Sequence, residues 1–226
     1  MSKGSLLRLQ LSEDRYEMRL SGSGGQGMML AATILAEAIG ADPAKRVIQT
    51  KSYGPEARGG ASKADIVVSS SEIYYPKALQ LDLLLAMTQE SLDKYYSDLK
   101  AGGTLILDES LVHNPPPDDF YGVPFTRLAR EEAGNVMVAN MIALGAIAAI
   151  SGVVPTEALT EAVLARAPRG TEDTNKRAVE IGVREGEAVK ARRLQGAPNM
   201  TQTPSAPEEA PIEVPGIVFP RCQFEH

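Results

Sequence analysis

The sequence predicts an α/β protein: a three-layer α/β/α domain on a mostly parallel, Rossmann-like sheet, with a helical C-terminal part and an extended proline-rich tail. Three observations carry this. Short apolar runs between Tyr16 and Asp108 alternate with helical patterns, the order that builds βαβ units. A glycine cluster, Ser21 to Gly27, joins the first of those runs to the first helical pattern. Six of the fifteen prolines fall in the last 29 residues, a composition that does not build a packed core.

Tyr16–Leu20 places Tyr16, Met18 and Leu20 in alternation with Glu17 and Arg19, a strand with one more polar face. Met28–Ile39 reads as an apolar helix ended by Gly40. Arg46–Thr50 and Ala64–Ser69 read as strands joined by a loop, and Leu81–Met87 and Thr104–Asp108 as buried runs. A polar helix from Gln89 to Lys100, stopped by Gly102 and Gly103, is expected between the last two. Strands that alternate with helices imply parallel pairing. Val123–Leu128 is a further strand candidate beyond the triple proline 115–117. Asn135–Ser151 is an uncharged helix. Pro155 opens another helix, to Ala167, and Thr171 precedes a last one with acids in its first turn and bases in its last. The expected division is an N-terminal extension 1–15, a domain 16–194 and a tail 195–226.

Composition narrows the chemistry. The 226 residues carry 23 basic and 29 acidic side chains, a net charge of −6, which argues against a general nucleic-acid binder. One cysteine, Cys222, cannot by itself hold an iron–sulfur cluster, a zinc site or an internal disulfide. Two histidines, His113 and His226, make a His-built metal site equally poor. No secretory signal is visible. The stretch 135–154 has no charge, but it is poor in large aliphatics and lacks flanking aromatic or basic anchors. It reads as a helix buried on all sides, between the sheet and a partner chain, and the protein as cytoplasmic with no membrane span.

Gly22-x-Gly24-x-x-Gly27 fits the dinucleotide fingerprint, whose glycines allow a phosphate to approach a helix N-terminus. The fingerprint also asks for an acid at the end of the second strand, where this sequence has Gln49-Thr50-Lys51. A nicotinamide or flavin dinucleotide is therefore disfavoured. A P-loop fails too, since Met28 and Met29 stand where Lys and Ser/Thr are needed. The plain alternative is that the glycines only let the helix pack tightly on the sheet. The second unusual segment, Gln49–Lys63, sets Lys51, Arg58 and Lys63 against Glu56 alone, on an acidic chain. Its Gly-Pro and Gly-Gly pairs make it a shaped loop, and its length between two short strands argues for a function beyond connection. Catalytic constellations are scarce: Ser23 has no histidine placed to act as its base, and His113 reads as a surface imidazole. Asp65, Asp82 and Asp108 lie in or beside strands, and helix capping is the commoner role for Asp108.

Three separated motifs, in order, resemble the gamma subunit of 2-oxoacid:ferredoxin oxidoreductases. They are Ser21–Gly27, the loop containing Ser52-Tyr53-Gly54-Pro55-Glu56-Ala57-Arg58-Gly59-Gly60, and Asn140-Met141-Ile142-Ala143-Leu144-Gly145. Tyr75-Pro76 and Met87-Thr88-Gln89-Glu90 match the same pattern, and the resemblance runs from Tyr16 to Arg193. It implies an enzyme that decarboxylates a 2-oxoacid oxidatively on thiamine diphosphate, passes the acyl group to coenzyme A and sends electrons through iron–sulfur clusters to ferredoxin or another acceptor. Alpha and beta chains would hold the thiamine cofactor, and a ferredoxin-like chain the clusters. This chain would hold neither and would help to engage coenzyme A. The site residues so implied are Ser23, Gly24, Gly25, Gln26, Gly27, Tyr53 and Arg58, with none catalytic; Arg58 might equally pair with a carboxylate at an interface. The Ser-Tyr-Gly-Pro-Glu-Ala-Arg-Gly-Gly-Ala-Ser form looks most like the 2-oxoglutarate type, with pyruvate, branched-chain and aryl-glyoxylate relatives as alternatives. A nucleotide-binding Rossmann domain and a purely structural assembly subunit remain open as other classes.

Overall fold

A computed structural model describes residues 15–51 and 61–194. Its centre is a six-stranded sheet in the order β2-β3-β1-β4-β5-β6. The strands are β1 (Tyr16–Ser23), β2 (Arg46–Lys51), β3 (Ala61–Ser69), β4 (Leu81–Ala86), β5 (Leu99–Asp108) and β6 (Tyr121–Val123). β1, β4, β5 and β6 pair in parallel, whereas β3 runs antiparallel to both β1 and β2. The mostly parallel sheet expected from the sequence is present, with β3 as its reversed strand. No helix lies between β2 and β3, so they can pair only as a hairpin, and β3 inserts between β1 and β2.

The pleat sorts side chains to two layers. Met18, Leu20, Ile66, Leu83, Leu85 and Ile106 face α1 (Met28–Gly40) and α4 (Ala139–Ser151) in the larger core. Leu84, Ala86, Leu105 and Leu107 face the other way, with Leu92 and Tyr95 of α2 (Gln89–Tyr95). The alternate residues of β1, Glu17, Arg19 and Ser21, are polar yet buried. Arg19 donates two hydrogen bonds to Asp65, of 2.6 and 2.9 Å, and also pairs with Asp98; the Tyr95 ring lies 4.9 Å from its guanidinium. Glu17 accepts from the Leu79 and Gln80 amides and from Arg15, and Arg15 in turn holds the carbonyls of Tyr75 and Lys77. The polar face is thus a satisfied network that ties β1 to β3 and to the segment before β4.

Three expectations are corrected. The segment Gln89–Lys100 is not one helix: α2 ends at Tyr95, a 3₁₀ turn covers Tyr96–Asp98, and Gly102 and Gly103 lie inside β5. Val123–Leu128 is not a strand. β6 stops at Val123 because Pro124 has no N–H for a ladder, and α3 (Phe125–Glu131) begins. The uncharged segment divides into a 3₁₀ turn, Val136–Val138, and α4, and this chain buries α4 without a partner. α6 (Glu172–Leu194) lies along α4, after the intervening α5 (Thr156–Arg166). Its buried stripe, Ala178, Val179, Ile181, Gly182, Gly186 and Val189, is read only when its many charges are set aside.

Candidate functional site

Ligands of open α/β sheets bind beyond the carboxyl ends of the parallel strands. At that end β1 closes at Ser23, the turn Gly24–Gly27 follows, and α1 starts at Met28. Gly27 is the residue before α1, at φ 72°, a left-handed conformation suited to glycine; Gly25 is also left-handed, at φ 91°. Gln26 folds back over the turn. Its Oε1 accepts from the Ser23 amide at 2.8 Å, and its own amide donates to the Ser23 carbonyl at 3.3 Å. A Cβ at Gly22 would overlap that Gln26 carboxamide, so the motif's first glycine makes room for the brace. The Gly24, Gly25 and Gly27 amides meet no acceptor among the described residues, and those opening α1 point the same way, as at any helix N-terminus.

The base of the second motif stands beside this turn. Ser23 is opposite Ala61 in the ladder, and Ser62 Oγ donates to the Gly22 carbonyl at 3.1 Å. The ends of the β2–β3 loop therefore frame the glycine turn. Tyr53 and Arg58 lie outside the described residues. Lys63 is a β3 residue that leans away, 4.0 Å from Asp65 and over the Tyr95 ring. Ser23, Gly24, Gly25, Gln26 and Gly27 are brought together as one anion-ready turn, in which Gln26 braces the backbone.

The strand acids have structural partners. Asp108, fully buried, accepts from the amides of Ser110 and Thr126 and from the Thr126 hydroxyl, capping α3; burial pushes its carboxyl up, against those bonds. Asp82 accepts from the Glu17 amide and from Lys100. His113 is exposed. Among the described residues no group of three His, Cys, Asp or Glu side chains is arranged to hold a metal. The dinucleotide reading also loses ground. Gln49, where the ribose-binding acid would stand, bonds to Thr33 and Met29 of α1, and β3 separates β2 from β1 by a further strand spacing of about 4.8 Å.

Asn140 was quoted in a motif but not counted as a site residue. It is the second residue of α4, and its Nδ2 donates to the Gly27 carbonyl at 3.4 Å. The N-termini of α1 and α4 meet through this contact. The available signal was a lone amide in an apolar helix, which also fits a tolerated core polar group.

Residues 17–185 match the family described as pyruvate ferredoxin/flavodoxin oxidoreductase. The chain belongs to this family. Within the oxidoreductase family it is 45% identical over 165 residues to the 2-oxoglutarate synthase subunit KorC of Methanocaldococcus jannaschii, covering 71% of this chain and 88% of that protein. It is 27% identical over 173 residues to the pyruvate synthase subunit PorC of Methanothermobacter marburgensis, covering 73% and 94%. The solved gamma subunit of a keto/oxoacid ferredoxin oxidoreductase from Geobacter sulfurreducens superposes with a TM-score of 0.71 at 42% identity, covering 77% of this chain and 98% of that one. The three-layer α/β fold is therefore the fold of this oxidoreductase family. No described helix is long and apolar enough to cross a membrane.

Proposed function

We propose that the chain is the gamma subunit of a 2-oxoacid:ferredoxin oxidoreductase of the 2-oxoglutarate type, and that its glycine turn engages coenzyme A. The subunit reading and the preference for 2-oxoglutarate rest on the higher identity to KorC, 45%, than to PorC, 27%. The coenzyme A reading rests on one observation above the others. The free amides of Gly24, Gly25 and Gly27 stand at the start of α1, beside the ends of the loop that carries Arg58. Coenzyme A carries a pyrophosphate and a 3′-phosphate, and needs fixed donors and positive charge. The amides and the helix dipole supply the first. Arg58 supplies a planar fork able to hold a phosphate through two bonds. Tyr53, on the same loop, belongs to this reading.

The partners in this reading are alpha and beta subunits with thiamine diphosphate and a ferredoxin-like subunit with iron–sulfur clusters, in the cytoplasm. The test is a mass-resolved isolation of the native complex, followed by a screen of 2-oxoacids with coenzyme A and a viologen dye. Co-isolation with three such partners and fastest dye reduction with 2-oxoglutarate are expected. A chain that runs alone and binds NAD(P) or a flavin tightly contradicts the reading.

A further inference from the structure

Asn140 is only 5% exposed, and its Oδ1 has no hydrogen-bond partner. An unpaired buried amide oxygen is costly, and native structures leave few of them. The Nδ2 atom fixes the orientation, because the Gly27 carbonyl it faces can only accept. That carbonyl already takes the Ala31 amide of α1 at 3.0 Å, so both bonds lock it. The carboxamide is pressed onto the turn: a Cβ at Gly27 would stand 2.5 Å from Nδ2. Beside Gly25 the space is open, with nothing within 4 Å of where a Cβ would lie. Every other free group at this end of the sheet is a donor, namely the glycine amides and the N-termini of two helices of 13 residues each. The donors ask for an anion. Oδ1 asks for an O–H or N–H.

We propose that Asn140 is a specificity-determining residue of the glycine turn, and that its Oδ1 accepts a hydrogen bond from a ribose hydroxyl next to the bound phosphate. A bare phosphate or pyrophosphate satisfies the amides but leaves Oδ1 unpaired; a phosphorylated ribose satisfies both. Oδ1 is shut off from water by the residues around it, so the turn yields slightly as the ligand seats. Gly25 and Gly27, both left-handed, are where that backbone rotation is cheapest. The inference rests on the coenzyme A reading and assigns the nucleotide end of that ligand to this turn. In coenzyme A the ribose hydroxyl beside the 3′-phosphate is the 2′-OH.

The test is competition against coenzyme A in the assembled complex, with adenosine 3′,5′-bisphosphate and its 2′-deoxy counterpart as probes. The wild-type complex is expected to prefer the ribose form roughly tenfold, the scale of one hydrogen bond. Asn140→Ala and Asn140→Ser should abolish the preference, through weaker ribose binding and with little change for the deoxy form. A preference that survives both substitutions overturns the proposal, as does equal binding of both probes by the wild type. Variants that weaken both probes equally make Asn140 a structural residue, which also overturns it. If neither probe competes and Gly27→Ala leaves the coenzyme A KM unchanged, the coenzyme A reading itself fails, a result distinct from the others.

Discussion

Gly182 of α6 packs against Ile142 of α4 so closely that a Cβ at position 182 would overlap the Ile142 carbonyl oxygen. Gly145 has the reciprocal place, where a Cβ would overlap the Val179 carbonyl, and Gly186 sits against Ala146 and Ala149. This glycine-lined crossing lets a mostly charged helix cover an apolar one. Alanine is the better helix former by about 1 kcal/mol, but here its methyl meets backbone, which cannot swing aside as a side chain does. Gly182→Ala is expected to destabilise the domain by about 1–3 kcal/mol, a lower midpoint in urea. An unchanged or raised midpoint would show that the helices are not in this contact.

Arg19 and Asp65 are buried at adjacent strands. Removing one partner leaves a charge without water, at a cost of about 3–5 kcal/mol. Asp65→Ala should therefore destabilise strongly, and Arg19→Met with Asp65→Leu should recover most of the loss. Denaturant titration of the three variants checks this; additive losses would contradict a buried pair.

The Tyr16 phenol is pushed up from 10.0 to about 12, by burial first and by Asp82 second. An unfolded chain releases that proton near pH 10, while the folded chain keeps it until about pH 12. Its contribution to stability is whole below pH 10 and is lost as pH rises to about 12. Tyr16→Phe should flatten that alkaline limb of the stability curve without changing the neutral plateau. A limb unaltered by the substitution would place the titration elsewhere.

The chain alone should not turn over. It has one cysteine, and the candidate acids Asp65, Asp82 and Asp108 are each committed to structural partners. Purified chain mixed with 2-oxoglutarate, coenzyme A and a viologen dye is expected to show no dye reduction. Turnover by the chain without other subunits would refute its role as a subunit.

The legible parts of this fold were those with one clear period. β1 declared itself by Tyr16, Met18 and Leu20, and α1 by an apolar run directly after glycines. The reversal of β3 was hidden because a strand buried on both faces reads the same in either direction. Gly102 and Gly103 looked like a helix stop, since glycine inside a strand and glycine after a helix are locally alike. α4 looked as though it needed a partner because the stripe on α6 that covers it is built from Gly, Ala, Val and Ile among many charges. At the site, the glycine turn was legible as a motif. The role of Gln26 as its brace and the approach of Asn140 were not, because residues 26 and 140 meet the turn only through tertiary packing.

The central claim is that this chain contributes to coenzyme A binding and not to decarboxylation, and Arg58→Ala in the assembled complex tests it most directly. A charge-assisted contact is worth about 1.5–3 kcal/mol, so the coenzyme A KM should rise roughly tenfold to a hundredfold. The KM for 2-oxoglutarate should hardly move. An assembled variant complex with unaltered coenzyme A kinetics would make Arg58 an interface residue and contradict the claim.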